Sequence, residues 1–282
     1  MKNWKYYNHA AIPTTAPHEE PNTVPISDNS IWKVVGGTPL LARWTTDFDC
    51  GYKTNWWYVI KDTPFDITEL KAKRRYEINK GIKNFEVKVI NPTEYKEELF
   101  SVQVDAFSAY PEKYRPQVDK QDFLLSIDTW RDFTIFGCFY RETGELTGYA
   151  LLEESESYID FKSMRTIPAY EKFSVNAALV EWVLRHYDGF LRDGGYICDG
   201  SRSINHETAF QDYLEKYFCF RKAYCHLHIE YNPKVKWLIK MLYPMRKMLQ
   251  KIDNVGSLHQ INSVLRMEEI CRSEVKREAT VL

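Results

Sequence analysis

Between Thr134 and Glu154 the chain reads TIFGCFYRETGELTGYALLEE, two apolar runs on either side of a Glu-Thr-Gly-Glu turn. Two such runs joined by so short a polar turn form an antiparallel hairpin. A hairpin must bury an apolar face against more sheet or against helices. The segment YIDFKSMRTI continues the meander as a third strand. The pattern then alternates: SVNAALVEWVLRHY is an amphipathic helix, GGYICDG a short buried strand, HETAFQDYLEKYF a helix and FRKAYCHLHIEY a last strand. Ahead of the hairpin, EVKVI reads as a strand, and TEYKEELFSVQVDAFSAY and DKQDFLLSIDTW read as helices joined by PEKYRPQV. Strands in series followed by alternating helix and strand give an α/β (α+β) fold, a mixed, mostly antiparallel central sheet flanked by helices.

The flanks are read from their punctuation. Pro13, Pro17, Pro21 and Pro25 are too closely spaced for a helix or a central strand, so residues 1–30 are expected as an extended arm docked by Trp4, Tyr6 and Tyr7. LLARWTTDF and NWWYVIKD, separated by the turn-prone DCGYKT, are expected as a hairpin or as neighbouring strands. In ITELKAKRRYEINKGIKN, Ile67, Leu70, Arg74 and Ile78 recur at helical spacing, with Asp66 as N-cap and Gly81 as a stop. The tail divides at Pro244 and resumes as a helix after Gly256. The expected organisation is an arm (1–30), a domain (31–232) with residues 31–91 as a degenerate half-domain, and a C-terminal helical extension (233–282).

Composition narrows the function classes. Of the 282 residues, 44% are hydrophobic and 15% aromatic, enough to build a core. The formal net charge of -1 supplies no global field toward nucleic acid or membrane, so any anion site must be local. The six cysteines form no CxxC pair, and Cys138 and Cys198 lie in apolar runs, so reduced, structural thiols are expected. His186, His226 and His228 show no metal-ligand spacing, and no metal site is expected. The N-terminus lacks the apolar core of a signal peptide and no run of 18 apolar residues occurs, so a soluble cytoplasmic protein is expected.

Three segments resemble the GNAT superfamily of acyltransferases, in particular its FemAB-like branch. They are the basic helix LKAKRRYEINKGIKN, the stretch RTIPAYEKFSVNAALVEWVLRHY and the block YICDGSRSINHETAFQDYLEKYFCFRKAY, and the likeness covers roughly residues 39–245. Two departures stand out. IPAYEKFSVN occupies the place of the phosphate-gripping R/QxxGxG/A loop, and Cys219 stands where a glycine would be typical between two aromatics. The resemblance implies transfer of an acyl group from acetyl-CoA or another acyl-CoA as co-substrate, or of an aminoacyl group from aminoacyl-tRNA. The acceptor it implies is an amine of a sugar or cell-envelope precursor. It implies no tightly bound cofactor. A degenerate fold acting as a binding or scaffold module is the alternative.

Against that frame, individual residues become candidates. The loop from Pro168 to Asn176 precedes a helix, whose first N–H groups and dipole suit a donor's phosphate. Pro168, Tyr170, Lys172, Phe173, Ser174 and Asn176 are therefore donor-site candidates, and an ordinary helix entry capped by Ser174 is the plainer reading. On the basic helix, Arg74 and Arg75 suit a phosphate or carboxylate of the substrate, while a solvated face with Glu69 and Glu77 as partners gives the same pattern. Asp199, Arg202 and His206 cluster around the end of the buried strand, at the edge where open sheets place ligands. Asp199 is the first candidate base, Asp160 the second, and Arg202 and His206 are substrate-binding candidates; a turn role for Asp199 and a capping role for His206 are the alternatives. Finally, residues 235–252 alternate apolar positions with Lys236, Lys240, Arg246, Lys247 and Lys251. That pattern suits peripheral membrane contact, or a helix packed on the domain with a snorkelling basic rim.

Overall fold

The computed structural model describes residues 3–110, 112, 115–204, 209–251 and 256–281, with backbone alone at 256–257 and 274–281. In chain order the strands are β1 (Trp4–Tyr7), β2 (Ala10–Pro13), β3 (Leu41–Thr46), β4 (Trp56–Lys61), β5 (Phe85–Val89), β6 (Phe133–Tyr140), β7 (Leu146–Glu154), β8 (Tyr158–Thr166), β9 (Tyr196–Ser201) and β10 (Arg221–Tyr231). The helices are α1 (Val24–Ser27), α2 (Ala72–Asn84), α3 (Lys96–Ser108), α4 (Lys120–Ile127), α5 (Val175–His186), α6 (Asp188–Arg192), α7 (Ala209–Phe218), α8 (Pro233–Leu242), α9 (Arg246–Leu249) and α10 (Gly256–Val281). From β5 onward this is the order the sequence pattern predicts, with the short α6 added before β9.

The chain forms two compact units, and each is discontinuous in sequence. One comprises residues 60–200 and 210–221. Its strands lie in the order β9-β8-β7-β6-β5. The hairpin β6–β7, its neighbours β5 and β8, and their pairings are all antiparallel, while β8 and β9 run parallel. One face of this sheet packs Ile135, Leu146, Tyr149 and Leu151 against Leu99 and Val102 of α3 and Ile127 of α4. On α5, Val175, Ala178, Leu179, Val183 and Leu184 are buried. This is a mixed, mostly antiparallel sheet flanked by helices.

Helix α2 begins later than the sequence spacing predicts. Asp66 caps only a single 3-10 turn, Ile67–Glu69, by accepting from the Thr68 N–H, and α2 starts at Ala72. Gly81 is buried inside α2 rather than stopping it. A Cβ there would lie 2.6 Å from the Ser174 carbonyl oxygen and 2.9 Å from the Ala178 nitrogen, so the glycine is what lets α2 lie directly on the first turn of α5.

The other unit comprises residues 1–59, 201–209 and 222–282, so far as they are described. Its strand order is β1-β2-β3-β10-β4, with Trp56–Val59 of β4 in this unit. Three expectations change here. The segment read as an extended arm forms the antiparallel pair β1–β2, turned by Asn8 and His9 at positive φ (45° and 63°), and β2 then pairs in parallel with β3. Two left-handed residues make a turn that matches strand twist even without glycine. Trp4 docks this hairpin, buried beside Ala11, Ile31, Val34 and Ala42. Next, β3 and β4 are not neighbours, because β10 lies between them. Their connection carries Asp47, Asp49 and Gly51 at positive φ and is tied to β10 by Cys50 N–H to the Tyr224 carbonyl and by Thr54 Oγ1 to the Cys225 carbonyl. Lastly, the tail is no separate extension: Ile239, Leu265 and Met267 share one core with Ala10, Leu41, Trp56, Leu227 and Tyr231. The boundaries 1–30, 31–232 and 233–282 therefore do not follow the packing.

Candidate active site

The parallel pairing of β8 with β9 covers three positions, Tyr158 with Tyr196, Ile159 with Ile197 and Asp160 with Cys198. Tyr158 and Tyr196 stack at 5.6 Å. Beyond Asp160 the ladder ends, although β8 runs on to Thr166 and β9 to Ser201. Two local features accompany this divergence. The β7–β8 register shifts so that Leu151 faces Ser163 and Leu152 faces Phe161, which leaves Lys162 as an extra, bulged residue. In β9, Gly200 takes φ +89° and its N–H reaches the Cys198 sulfur at 3.3 Å. A bulge re-aims a strand and often lies beside a ligand site, and here it leaves peptide groups of β8 past Asp160 without a β9 partner.

Asp199 stands at the mouth of this opening. It is half-buried, and burial pushes its carboxyl up to about 7, opposed by a hydrogen bond from Gln211 and aided by the charge of Asp160. Gln211 also donates to the Asp199 carbonyl at 3.3 Å. Phe161 packs on Phe210 at 5.8 Å, so the carboxyl shares the α7 side with apolar rings. A carboxyl titrating near neutral pH beside a strand opening is suited to general base chemistry.

Asp160, the second sequence candidate, is placed otherwise. It accepts from Lys162 at 2.6 Å, and Lys162 also pairs with Glu153 at 2.6 Å. Strand alternation turns Asp160 to the opposite side of the sheet from Phe161. A residue the sequence reading missed lies farther along β8. Arg165 holds its guanidinium 5.3 Å over the Phe107 ring, and its Nε is buried without a hydrogen-bond partner among the described residues. Such a group suits an anion. An arginine in an alternating strand reads as solvent-facing, and nothing local announced that α3 covers it.

The loop candidates are engaged in holding the loop. Pro168 opens a 3-10 turn that ends at Phe173, and Ser174 takes φ 69° without a side-chain capping bond. Tyr170 and Phe173 pack on Tyr140 at 5.1 and 5.2 Å, and Tyr170 donates to Glu145 at 2.6 Å. These rings sit on β5 and β6, at the end of this sheet far from β9. Lys172 lies 5.0 Å from the Phe173 ring, and Asn176 accepts from Thr166 at 2.7 Å. On α2, Arg74 lies 5.3 Å over Tyr217, whereas Arg75 donates to the Thr68 and Leu70 carbonyls and so closes its own helix start. Arg202 belongs to the other unit, donating to the Asn55 carbonyl at 2.6 Å with its guanidinium 4.7 Å over Trp57. His206 lies outside the described residues.

None of the six cysteines is in a disulfide, and burial pushes the Cys138 thiol up to about 12. His226 bonds Tyr52 at 2.7 Å and His228 bonds Thr46 at 2.8 Å. Among the described residues no His, Cys, Asp and Glu cluster could hold a metal, and no helix is long and apolar enough to cross a membrane.

In comparison with known proteins, L-PGS from Bacillus licheniformis superposes with a TM-score of 0.50 at 13% identity, covering 85% of this chain and 83% of that one. The C-terminal domain of a putative lysylphosphatidylglycerol synthetase from Agrobacterium fabrum gives 0.50 at 13% identity, over 84% and 82%. The fold is shared with these two proteins. FemX gives a lower TM-score of 0.47 at 9% identity, over 78% and 81%. No family model matches the sequence, and no curated protein matches it.

Proposed function

We propose that the protein transfers an acyl or aminoacyl group to an amine of a sugar or cell-envelope precursor, with Asp199 as the base. The observation that carries this reading is the divergence of β8 from β9 after three paired positions, with a carboxyl titrating near 7 at its mouth. The donor's carbonyl would enter the opening, where unpaired N–H groups of β8 past the Lys162 bulge stabilise charge developing on its oxygen. Asp199 takes the proton as the acceptor nitrogen attacks, and the donor's thiol or hydroxyl leaves with a proton from solvent. No covalent enzyme intermediate is required. Arg165 is placed to hold an anionic portion of a substrate on the α3 side of β8.

Two donors fit this chemistry, an acyl-CoA and an aminoacyl-tRNA. The name lysylphosphatidylglycerol synthetase, carried by a protein of the same fold, favours the aminoacyl donor. Cytoplasmic residence would give access to either, and thiols kept out of disulfides accord with a reducing compartment. A second reading, a scaffold without catalysis, is favoured by one contact: α2 lies on the first turn of α5 through Gly81, where a donor phosphate would otherwise be held.

The test is thermal stability with and without acetyl-CoA, since a ligand at 100 times its Kd adds about 2.7 kcal/mol. An upward shift assigns an acyl-CoA donor. No shift at millimolar concentration removes that donor, and transfer from aminoacyl-tRNA is then assayed. Where transfer is detected, Asp199→Asn is expected to lower kcat by about 10²–10⁴-fold. Absence of transfer with both donors leaves the scaffold reading.

A further inference from the structure

Helices α8 and α9, with the 3-10 turn Tyr243–Met245 between them, carry Trp237, Met241, Met245 and Met248 at spacings of four, four and three residues. This spacing sets the four side chains on one side of the segment. They are 62%, 55%, 46% and 52% exposed. The stripe is not the face that holds the segment to its unit. Ile239 is buried in the core, and Val235, Leu242, Tyr243 and Leu249 pack against it. The segment therefore has two apolar faces, one used and one turned outward.

Within this segment the charge has one sign. From Tyr231 to Lys251 the chain holds Lys234, Lys236, Lys240, Arg246, Lys247 and Lys251 and no acidic residue, whereas the whole chain carries -1. All five of those lysines are exposed. At about 100° per residue, Lys236, Lys240, Lys247 and Lys251 fall along one flank of the Trp-Met stripe.

We propose that this face seats the protein on an anionic lipid surface. The stripe lies along the headgroup boundary, with Trp237 as the interfacial anchor and the lysine flank on lipid phosphates. Charge complementarity selects this occupant. Lys236 pairs with Glu230 at 2.6 Å and Arg246 with Glu269 at 3.0 Å, which leaves the exposed Lys240, Lys247 and Lys251 of a segment with no acid of its own to suit an anionic surface, and flexible methionines conform to a fluid one. The proposal is independent of the Asp199 chemistry.

Vesicle flotation of the full chain tests it, comparing phosphatidylcholine alone with phosphatidylcholine plus phosphatidylglycerol. The protein is expected to float with the anionic vesicles, less so at high salt, and to stay behind with the neutral ones. Replacing Lys240, Lys247 and Lys251 together by Gln is expected to weaken association by roughly a hundredfold, at about 1 kcal/mol per charge. Trp237→Ser with Met241→Ser is expected to abolish flotation without lowering the unfolding temperature, because both side chains are exposed. Failure to float at low salt overturns the proposal, as does flotation unchanged in both variants. A concentration-dependent dimer that the serine variant abolishes would assign the face to a second copy of the chain instead.

Discussion

The carboxyl of Asp199 couples chemistry to stability, and the sign of that coupling can be worked out. Its pKa rises from an ordinary value of 3.8 in the unfolded chain to about 7 in the folded one, chiefly by burial. Between these values the folded state holds the extra proton, so stability from this group is present at low pH and is lost as pH rises through about 7. Asp199→Asn removes the titration. Thermal midpoints measured from pH 5 to pH 8 are expected to fall more steeply in the wild type than in the variant, and parallel curves would rule out the raised carboxyl. Cys219 offers a second test at this scale. The aromatic-Cys-aromatic of the sequence places a non-glycine residue at φ 56°, just past α7. A left-handed non-glycine residue costs about 1–2 kcal/mol, and glycine's extra chain entropy costs about 0.5–1 kcal/mol. Cys219→Gly is thus expected to raise unfolding free energy by about 0.5–1 kcal/mol in urea titration, and Cys219→Ala to leave it without that gain.

Among elements, the contact between α2 and α5 is the most demanding, since it depends on the absence of one methyl group. Gly81→Ala gains about 1 kcal/mol in helix propensity. The new Cβ meets backbone atoms rather than a yielding side chain, and forcing such atoms into packed space costs about 1–3 kcal/mol. A net loss of stability is expected in urea unfolding, and a net gain would mean that α2 does not bear on α5. The sequence pattern identified both helices but gave Gly81 the wrong part, because a glycine near the end of a basic helix looks the same as a stop whether or not a second helix lies on it. The meander β6–β7–β8 and the alternation after it were legible because their signals are local. The insertion of β10 between β3 and β4 was not, since that pairing joins residues such as Arg43 and Ile229 that lie far apart in the chain. The site divides along the same line. Asp199 could be named as a candidate from its place near the end of a buried strand, whereas Arg165 becomes a candidate only once α3 is folded over β8.

For the whole molecule, the interleaving of the two units in sequence decides what can be removed. Were residues 233–282 an appended extension, their deletion would leave the rest of the chain as stable as before. Instead Ile239, Leu265 and Met267 are buried in the core that also holds Trp56, Leu227 and Tyr231. Tyr231 further donates to Glu268 at 2.9 Å, and Arg43 reaches the Met267 sulfur at 3.7 Å. Full burial of an aliphatic or methionine side chain is worth about 1.5–3 kcal/mol, so loss of these three alone removes about 5–9 kcal/mol from their unit. That is the size of the entire stability of an ordinary domain, about 5–15 kcal/mol. A chain ending at residue 232 is therefore expected to lose the cooperative unfolding of the unit containing Trp56, read as loss of the near-ultraviolet tryptophan signal and of protection from proteolysis at β3 and β10. The flotation variants Trp237→Ser and Met241→Ser, which touch only the outward face of the same segment, should keep both signals. If the shortened chain kept them as well, the shared core would be wrong and residues 233–282 would be an extension after all.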